Sequence, residues 1–225
     1  MKLKDKLEYL CIKLYLFYSA ILTKLIKKVR ITTCSFYLDP DLSMPLWSYA
    51  DLVDYIDENS FVLDVGTGIG VIPIIISQKT KFIEGVDIDK KAIQLSNLNA
   101  KINEINNVKF YVSDIFSNVT KRYDIIISNP PFLAKPQYNS YFFRCCQGDF
   151  YKNLFKGLGD HLNKKGRLVV MTLDKSEKEL NKFAIKYHLK MKKVVPSKIN
   201  FKTRLLRILY LQFKKVSIFI FEPEL

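Results

Sequence analysis

From Phe61 onward the sequence alternates short apolar runs with longer segments of helical period, and this alternation restricts the possible folds more than any other feature. The apolar runs are FVLDV, KFIEGVD, NVKFYVSD, YDIIISN and RLVVMT. Their length and their β-branched and aromatic content are typical of buried strands. Strands that alternate with helices predict a parallel sheet with helices packed on both of its faces.

Four helices are expected between and after these strands. Their sequences are VIPIIISQ, DKKAIQLSNLNAKIN, DFYKNLFKGLGDHLNKKG and KSEKELNKFAIKYH. The second is expected to bury one apolar face, formed by Ala92, Leu95, Leu98 and Ile102. The third is expected to end at Gly166. Near the end of the chain, KMKKVV and VSIFIF read as two more strands, and the basic sequence between them is compatible with helix or strand.

A glycine-rich loop follows the first predicted strand. In LDVGTGIG, Asp64 precedes Gly66, Gly68 and Gly70. Glycine at such a turn permits positive φ and the close approach of a ligand to the backbone. Dinucleotide-binding loops place their third glycine where this chain has Val71. A carboxylate before the first glycine repels a pyrophosphate but can bind an amino group, so the loop favours a cofactor with a positively charged end.

Polar residues also follow the next three strands, Asp87 after the second, Asp114 after the third and Asn129 after the fourth. The carboxyl ends of parallel strands meet at one edge of a doubly wound sheet, so these residues and Asp64 are expected to line one crevice. There, Asp87 can accept the hydroxyls of a ribose, and Asp114 can accept from the amino group of an adenine. The alternative for each acid taken alone is a cap on the following helix.

Together, VLDVGTGIG, GVDID, VSDIF and SNPPF resemble, in order and spacing, class I S-adenosylmethionine-dependent methyltransferases. More narrowly, they resemble the methyltransferase small domain group, which carries an NPP[FY] motif and includes RNA and DNA amino-methyltransferases and release-factor glutamine methyltransferases. The resemblance covers residues 61–172. It implies an α/β fold with a doubly wound, mostly parallel, seven-stranded Rossmann-like sheet and an antiparallel C-terminal strand. It also implies S-adenosyl-L-methionine as the cofactor.

The resemblance also indicates which residues hold the cofactor. In the family, the glycine loop wraps the methionine part, the acid of the second motif holds the ribose, and residues around the acid of the third motif hold the adenine. The predicted cofactor site consists of Asp64, Gly66, Thr67, Gly68, Ile69, Gly70, Asp87, Ile88, Asp114, Ile115 and Asn129.

SNPPF fits the needs of a methyl transfer to nitrogen. The side-chain oxygen of Asn129 and the carbonyl of Pro130 can accept both N–H bonds of a planar amino or amide group, which aims its lone pair at the methyl. Both prolines fix φ and lack an N–H, and Phe132 offers a ring on which a planar substrate stacks. We therefore predict that Asn129, Pro130, Pro131 and Phe132 bind the substrate, with catalytic roles for Asn129, Pro130 and Phe132. The alternative is an ordinary turn that ends a strand.

The net charge of +14 is concentrated near the two ends of the chain. Residues 1–30 carry eight basic and two acidic side chains, and residues 180–221 carry eleven basic and no acidic ones. The remainder sums to about −3. Basic ends indicate an anionic partner, and RNA is favoured over a membrane surface. The alternative is that the lysines only keep the chain in solution.

Two regions are expected from this pattern. Residues 1–45 are expected to form a basic amphipathic N-terminal helix with a lid or linker, as a helical extension of the main domain. Residues 46–225 are expected to form the methyltransferase domain, with a basic insert near 197–215. The longest uncharged run of the N-terminal segment, Leu14 to Thr23, is shorter than the ~20 residues that a transmembrane helix needs.

The four cysteines form no CxxC pair and the two histidines are isolated in sequence, so a metal site is not expected. This cysteine usage favours a reducing, cytoplasmic setting.

RNA is the expected substrate, with protein glutamine or a small molecule as alternatives. Outside enzymes, the alternatives are a non-catalytic subunit with a cofactor fold or a membrane-surface protein. The oligomeric state stays open.

Overall fold

The computed structural model describes residues 24–39, 50–130, 150–173, 176–196 and 216–224, together with residues 21 and 42. Within these ranges the strands are β1 (Lys28–Ile31), β2 (Cys34–Tyr37), β3 (Phe61–Val65), β4 (Phe82–Asp87), β5 (Val108–Val112), β6 (Tyr123–Ser128), β7 (Leu162–Leu173), β8 (Leu189–Pro196) and β9 (Val216–Pro223). The helices are α1 (Ala50–Val53), α2 (Val71–Ile76), α3 (Lys90–Ile102), α4 (Phe150–His161) and α5 (Glu177–Lys186).

Seven of these strands form one sheet in the order β5-β4-β3-β6-β7-β9-β8. Neighbouring strands from β5 to β7 run parallel, whereas β9 is antiparallel to both β7 and β8. The predicted doubly wound sheet with an antiparallel C-terminal strand is therefore confirmed. The chain order reverses direction between β3 and β6, and ligands of such sheets bind outside the carboxyl ends of the strands at this switch point.

The central strands are mostly apolar because helices cover both faces of the sheet. On one face, Leu63 and Val65 of β3 pack in a cluster with Leu154 of α4 and Leu180 of α5. On the other face, Val62 of β3 packs in a cluster with residues of α1 and α2. Side chains of a strand alternate between faces, so successive residues of β3 enter different cores.

Two helix predictions were wrong in detail. Helix α4 ends at His161 instead of Gly166, because the buried Leu162 pairs with Tyr123 at the start of the next strand. Gly166 lies inside β7. In α3, Leu98 is 43% exposed, so it is not part of the buried face. That face consists of Ala92, Ile93, Ser96, Asn99 and Ala100, whose mostly small side chains allow other elements to approach the helix closely.

Strands β1 and β2 form an antiparallel hairpin, which the sequence analysis did not predict. Phe36 of β2 is completely buried and joins a cluster with residues of α2 and α3.

The proposed N-terminal amphipathic helix falls mainly on residues 1–20, which lie outside the described residues, as do Pro131, Phe132 and the basic insert near 197–215. In the ranges that the structure describes, no helix is long and apolar enough to cross a membrane.

Candidate active site

The carboxyl ends of β3 and β6 bring Asp64 and Asn129 to the same edge of the sheet. Asp64 is the penultimate residue of β3 and lies opposite Ile127 of β6, so Asn129 follows immediately after the paired segment. The hydroxyl of Ser128 donates a hydrogen bond of 2.9 Å to the carbonyl of Val65, which ties the two strand ends together. The switch point of the sheet therefore carries two of the predicted site residues.

Four buried side-chain oxygens in the described ranges have no hydrogen-bond partner, and all four lie at this edge. They are Asp64 Oδ1, Asp64 Oδ2, Thr67 Oγ1 and Asn129 Oδ1. Buried polar atoms are almost always paired, and a group of exceptions at one place requires an explanation. The ionised carboxylate and the amide oxygen are acceptors only. This edge of the sheet is thus arranged to receive hydrogen-bond donors.

The Asp64 carboxyl is completely buried. Burial raises its pKa from 3.8 to about 7, the nearby hydroxyl of Thr67 partly opposes this rise, and the charge of Asp87 adds to it. The Thr67 hydroxyl falls short of hydrogen-bond geometry, since neither it nor the carboxylate has a partner. A bound cation would remove the cost of burying this charge, because an opposite charge at close range favours the ionised form.

The glycine loop between β3 and α2 adopts a conformation that glycine alone tolerates well. Gly66, Gly68 and Gly70 have φ values of 80°, 55° and 83°. A Cβ at Gly66 or Gly68 would meet no atom within 4 Å, whereas one at Gly70 would lie 2.9 Å from both Phe110 and Ser96. The first two glycines therefore face open space that a ligand can occupy, and the third packs against the protein.

Asp87, the last residue of β4, holds the loop from the other side. Its two oxygens accept from the backbone amides of Gly68 at 2.9 Å and Asp89 at 3.0 Å. Burial raises the pKa of Asp87, and these amides oppose the rise. A carboxylate has about four acceptor positions, so Asp87 keeps acceptor capacity for a hydroxyl of a ribose. The loop, Asp64 and Asp87 thus belong to one continuous site.

The residues predicted around an adenine lie at the same edge but are more open. Ile88 is 51% exposed, and the side chain of Asp114, two residues beyond the end of β5, is exposed as well. Ile115 has a φ of 52°, which is unusual for a β-branched residue. The side chain of Ile69, by contrast, is buried among apolar residues, so only its backbone is available to a ligand.

Sequence reasoning missed Asn99 of α3, a completely buried residue whose Nδ2 donates to the carbonyl of Ile69 at 3.0 Å. The signal was present: Asn99 and Asn103 are four residues apart in a helix. Such a pair lies on one helix face. Only the tertiary structure shows that a hairpin covers this polar pair.

Comparison with known proteins places this site in a family. Residues 50–203 match the family model described as "Methyltransferase small domain". The chain is 45% identical to a putative protein N5-glutamine methyltransferase of Methanocaldococcus jannaschii over 84 residues, which is 37% of this chain and 41% of that protein. It is 34% identical to the release factor glutamine methyltransferase of Fusobacterium nucleatum over 128 residues, 49% of this chain and 36% of that protein.

The fold has solved counterparts. The structure of TYW2 from M. jannaschii in complex with AdoMet superimposes with a TM-score of 0.59 at 19% identity, over 87% of this chain and 85% of that one. Likeness at this identity shows the fold, and the matched regions span less than half the length of the two curated relatives. The family model covers most of the present chain and includes the glycine loop, Asp87 and the SNPPF motif. The chain therefore belongs to the methyltransferase small domain family.

Proposed function

We propose that this protein transfers a methyl group from S-adenosylmethionine to a planar amino or amide nitrogen, and that the nitrogen belongs to a base in RNA. The observation that carries the proposal is the group of four unpartnered buried oxygens on Asp64, Thr67 and Asn129. Membership of the methyltransferase small domain family agrees with it.

The cofactor end of the site fits S-adenosylmethionine. The molecule carries an ammonium group, and the buried Asp64 carboxylate offers two free acceptors for it. The open space beside Gly66 and Gly68 admits the methionine chain, and Asp87 retains acceptor capacity for the ribose. When bound, the cofactor supplies an electrophilic methyl group on a sulfonium. No dinucleotide is favoured, because a pyrophosphate beside the Asp64 carboxylate would be repelled.

The substrate end of the site is a pair of acceptors. Asn129 Oδ1 is buried and unpartnered, and Pro130 contributes a carbonyl and no N–H. Two acceptors that hold the two N–H bonds of an amino group favour its pyramidal form and expose the lone pair. Catalysis of this kind depends on positioning and fixed dipoles instead of a strong base. Pro131 and Phe132 complete the clamp in this proposal.

Charge favours RNA as the substrate. In the hairpin region Lys24, Lys27, Lys28 and Arg30 are exposed, and no acidic residue lies between residues 24 and 37. Strand β8 runs parallel to β7, so its end at Pro196 lies at the same edge as Asn129. Residues 197–215, which follow it, contain six basic and no acidic side chains. An excess of basic side chains suits binding to a phosphate backbone.

Protein glutamine is the second candidate, because the two relatives described above carry names that refer to glutamine methylation. A side-chain amide presents the same two N–H bonds to the clamp as an exocyclic amino group of a base. The SNPPF motif fits both substrate classes, so it does not distinguish between them. The basic charge at the ends of the chain is therefore the reason that we place RNA before protein glutamine. A cytoplasmic location is also part of the proposal.

Radiolabelled methyl transfer distinguishes the two substrates. Purified protein and labelled S-adenosylmethionine are incubated with separate RNA and protein fractions from a strain that lacks the protein, and the Asn129→Ala variant serves as the control. We expect label in RNA. Label that appears only in protein would indicate that the substrate is protein glutamine and not RNA. If calorimetry detects no binding of S-adenosylmethionine at high micromolar concentration, the proposed methyltransferase activity is refuted.

A further inference from the structure

Two asparagines of helix α3 hold the β1–β2 hairpin by its backbone. Asn99 Oδ1 accepts from the Tyr37 amide at 2.7 Å, and Asn99 Nδ2 donates to the Tyr37 carbonyl at 3.3 Å. Asn103 Oδ1 accepts from the Ser35 amide at 2.8 Å, and Asn103 Nδ2 donates to the Ser35 carbonyl at 2.6 Å. The two side-chain amides thus take the place that a neighbouring strand would occupy beside β2.

The two asparagines differ in their second donated hydrogen bond. Asn99 Nδ2 also donates to the carbonyl of Ile69, in the middle of the glycine loop, at 3.0 Å. Asn103 Nδ2 instead donates to the backbone carbonyl of Asn99, within its own helix region, at 2.7 Å. Because Asn99 is completely buried, water cannot replace its bonds to the hairpin and the loop.

The contact with Ile69 orients a peptide unit of the loop. The carbonyl of the Ile69–Gly70 peptide accepts from Asn99, and its N–H donates to the carbonyl of Thr67 at 3.0 Å. A peptide is planar, so two bonds on opposite sides define the orientation of the whole unit. Apolar packing supports this arrangement, since Phe36 of the hairpin and Ile69 of the loop belong to one buried cluster.

We propose that Asn99 is a positioning residue for S-adenosylmethionine, and that the hairpin Lys28–Tyr37 forms part of the cofactor site by acting through it. The cofactor's identity rests on the proposed function; the coupling of hairpin and loop does not. Loss of the Asn99 amide frees the Ile69–Gly70 peptide and weakens the binding of the cofactor. By linkage, a bound cofactor stabilises the docked hairpin to the same extent.

Calorimetric titration of S-adenosylmethionine into Asn99→Ala and Asn103→Ala variants tests the proposal. Both substitutions remove two hydrogen bonds to the hairpin, but only the first removes the bond to the loop. We expect Asn99→Ala to raise the Kd about tenfold, as one lost hydrogen bond predicts, and Asn103→Ala to change it less than about threefold. Asn99→Asp, measured at pH 8, keeps the acceptor for the Tyr37 amide but has no hydrogen for the carbonyls of Ile69 and Tyr37. It replaces Asn99→Ala if that variant does not fold.

Hydrogen exchange of the Gly70 amide in the absence of cofactor is the second readout. We expect faster exchange in the Asn99 variants than in wild type, and unchanged exchange in Asn103→Ala. Equal loss of cofactor affinity in both alanine variants would overturn the proposal, because docking of the hairpin would then matter and the loop contact would not. If the wild-type protein does not bind the cofactor, the proposed function fails, and unchanged Gly70 exchange in the Asn99 variants would still overturn the role of Asn99.

Discussion

The hydroxyl of Tyr123, on strand β6, donates a hydrogen bond to the carboxylate of Glu84, on strand β4, across the intervening strand β3. Tyr111 donates to the same carboxylate at 2.7 Å, and Lys121 donates to it at 2.6 Å. Glu84 is 2% exposed and would be costly to bury alone. Three donors, one from β5 and two from the segment at the start of β6, therefore hold the parallel strands together around a single acid.

Removal of this acid should destabilise the fold strongly. We expect Glu84→Ala to lower the free energy of unfolding by about 3–5 kcal/mol, because it leaves the buried Tyr123 hydroxyl without an acceptor. Lys121→Ala should cost less than about 1 kcal/mol, since the lysine side chain is half exposed. Urea unfolding monitored by circular dichroism measures both variants, and equal losses would contradict the assignment of the network to Glu84.

The same acid should make stability depend on pH. Burial alone raises the pKa of Glu84, but the hydrogen bonds from Lys121, Tyr123 and Tyr111 outweigh it and hold the pKa below its ordinary value of 4.5. An acid with a lowered pKa contributes stability above its unfolded pKa, and this contribution disappears as the pH falls through the folded pKa. Acid unfolding of Glu84→Gln below pH 4.5 should therefore be shallower than that of the wild type.

In the protein without cofactor, Asp64 should make stability fall as the pH rises, which is the opposite of the effect of Glu84. Its pKa is raised from 3.8 to about 7, so the folded state favours the protonated form, and stability declines as the pH rises from 3.8 through 7. Asp64→Asn should raise the stability of the free protein at pH 8 by up to about 4 kcal/mol. Thermal unfolding at pH 5 and pH 8 measures the difference between the variants.

The same substitution should damage cofactor binding. The amide of Asp64→Asn replaces a carboxylate that faces the ammonium of S-adenosylmethionine, so we expect the Kd to rise about 10- to 100-fold. Calorimetry provides the value. A variant that is more stable and binds the cofactor as well as the wild type would show that Asp64 does not meet the ammonium.

Gly70 and Gly159 provide a matched pair of Gly→Ala substitutions. At Gly70 the φ of 83° and contacts of 2.9 Å with Phe110 and Ser96 make alanine destabilising, by about 1–3 kcal/mol. At Gly159, inside α4, a Cβ meets nothing within 4 Å, so alanine should stabilise by up to about 1 kcal/mol. Opposite shifts in the unfolding midpoint are expected, and a stabilising Gly70→Ala would contradict the described loop conformation.

Asn129→Ala should separate catalysis from cofactor binding. The substitution removes a buried acceptor aimed at the substrate nitrogen, and we expect turnover to fall about 100- to 1,000-fold. Binding of S-adenosylmethionine should remain measurable, because Asp64 and Asp87 remain in place. Methyl-transfer assays and calorimetry on the same preparation test both expectations, and retained turnover would refute the proposed clamp.

The strand and helix pattern could be predicted from local sequence, because each element carries its own period of apolar residues. The glycine loop, the acids at the strand ends and SNPPF could also be found in this way, since parallel strands bring their carboxyl ends to one edge. The predicted ends of the elements were less accurate. Helix α4 ends at His161 instead of Gly166, because Leu162 pairs with Tyr123, about forty residues earlier in the chain. A pairing partner so distant in sequence leaves no local signal.

By itself the sequence determined the order of the strands and helices and the set of polar residues at the switch point. The tertiary structure decided how those residues are used. Asn99 looks like a surface residue of a helix until the hairpin packs over it, and its bonds to Tyr37 and Ile69 join parts of the chain up to sixty-two residues apart. The raised pKa of Asp64 also depends on the tertiary structure, because the surrounding strands and loop bury its carboxyl completely.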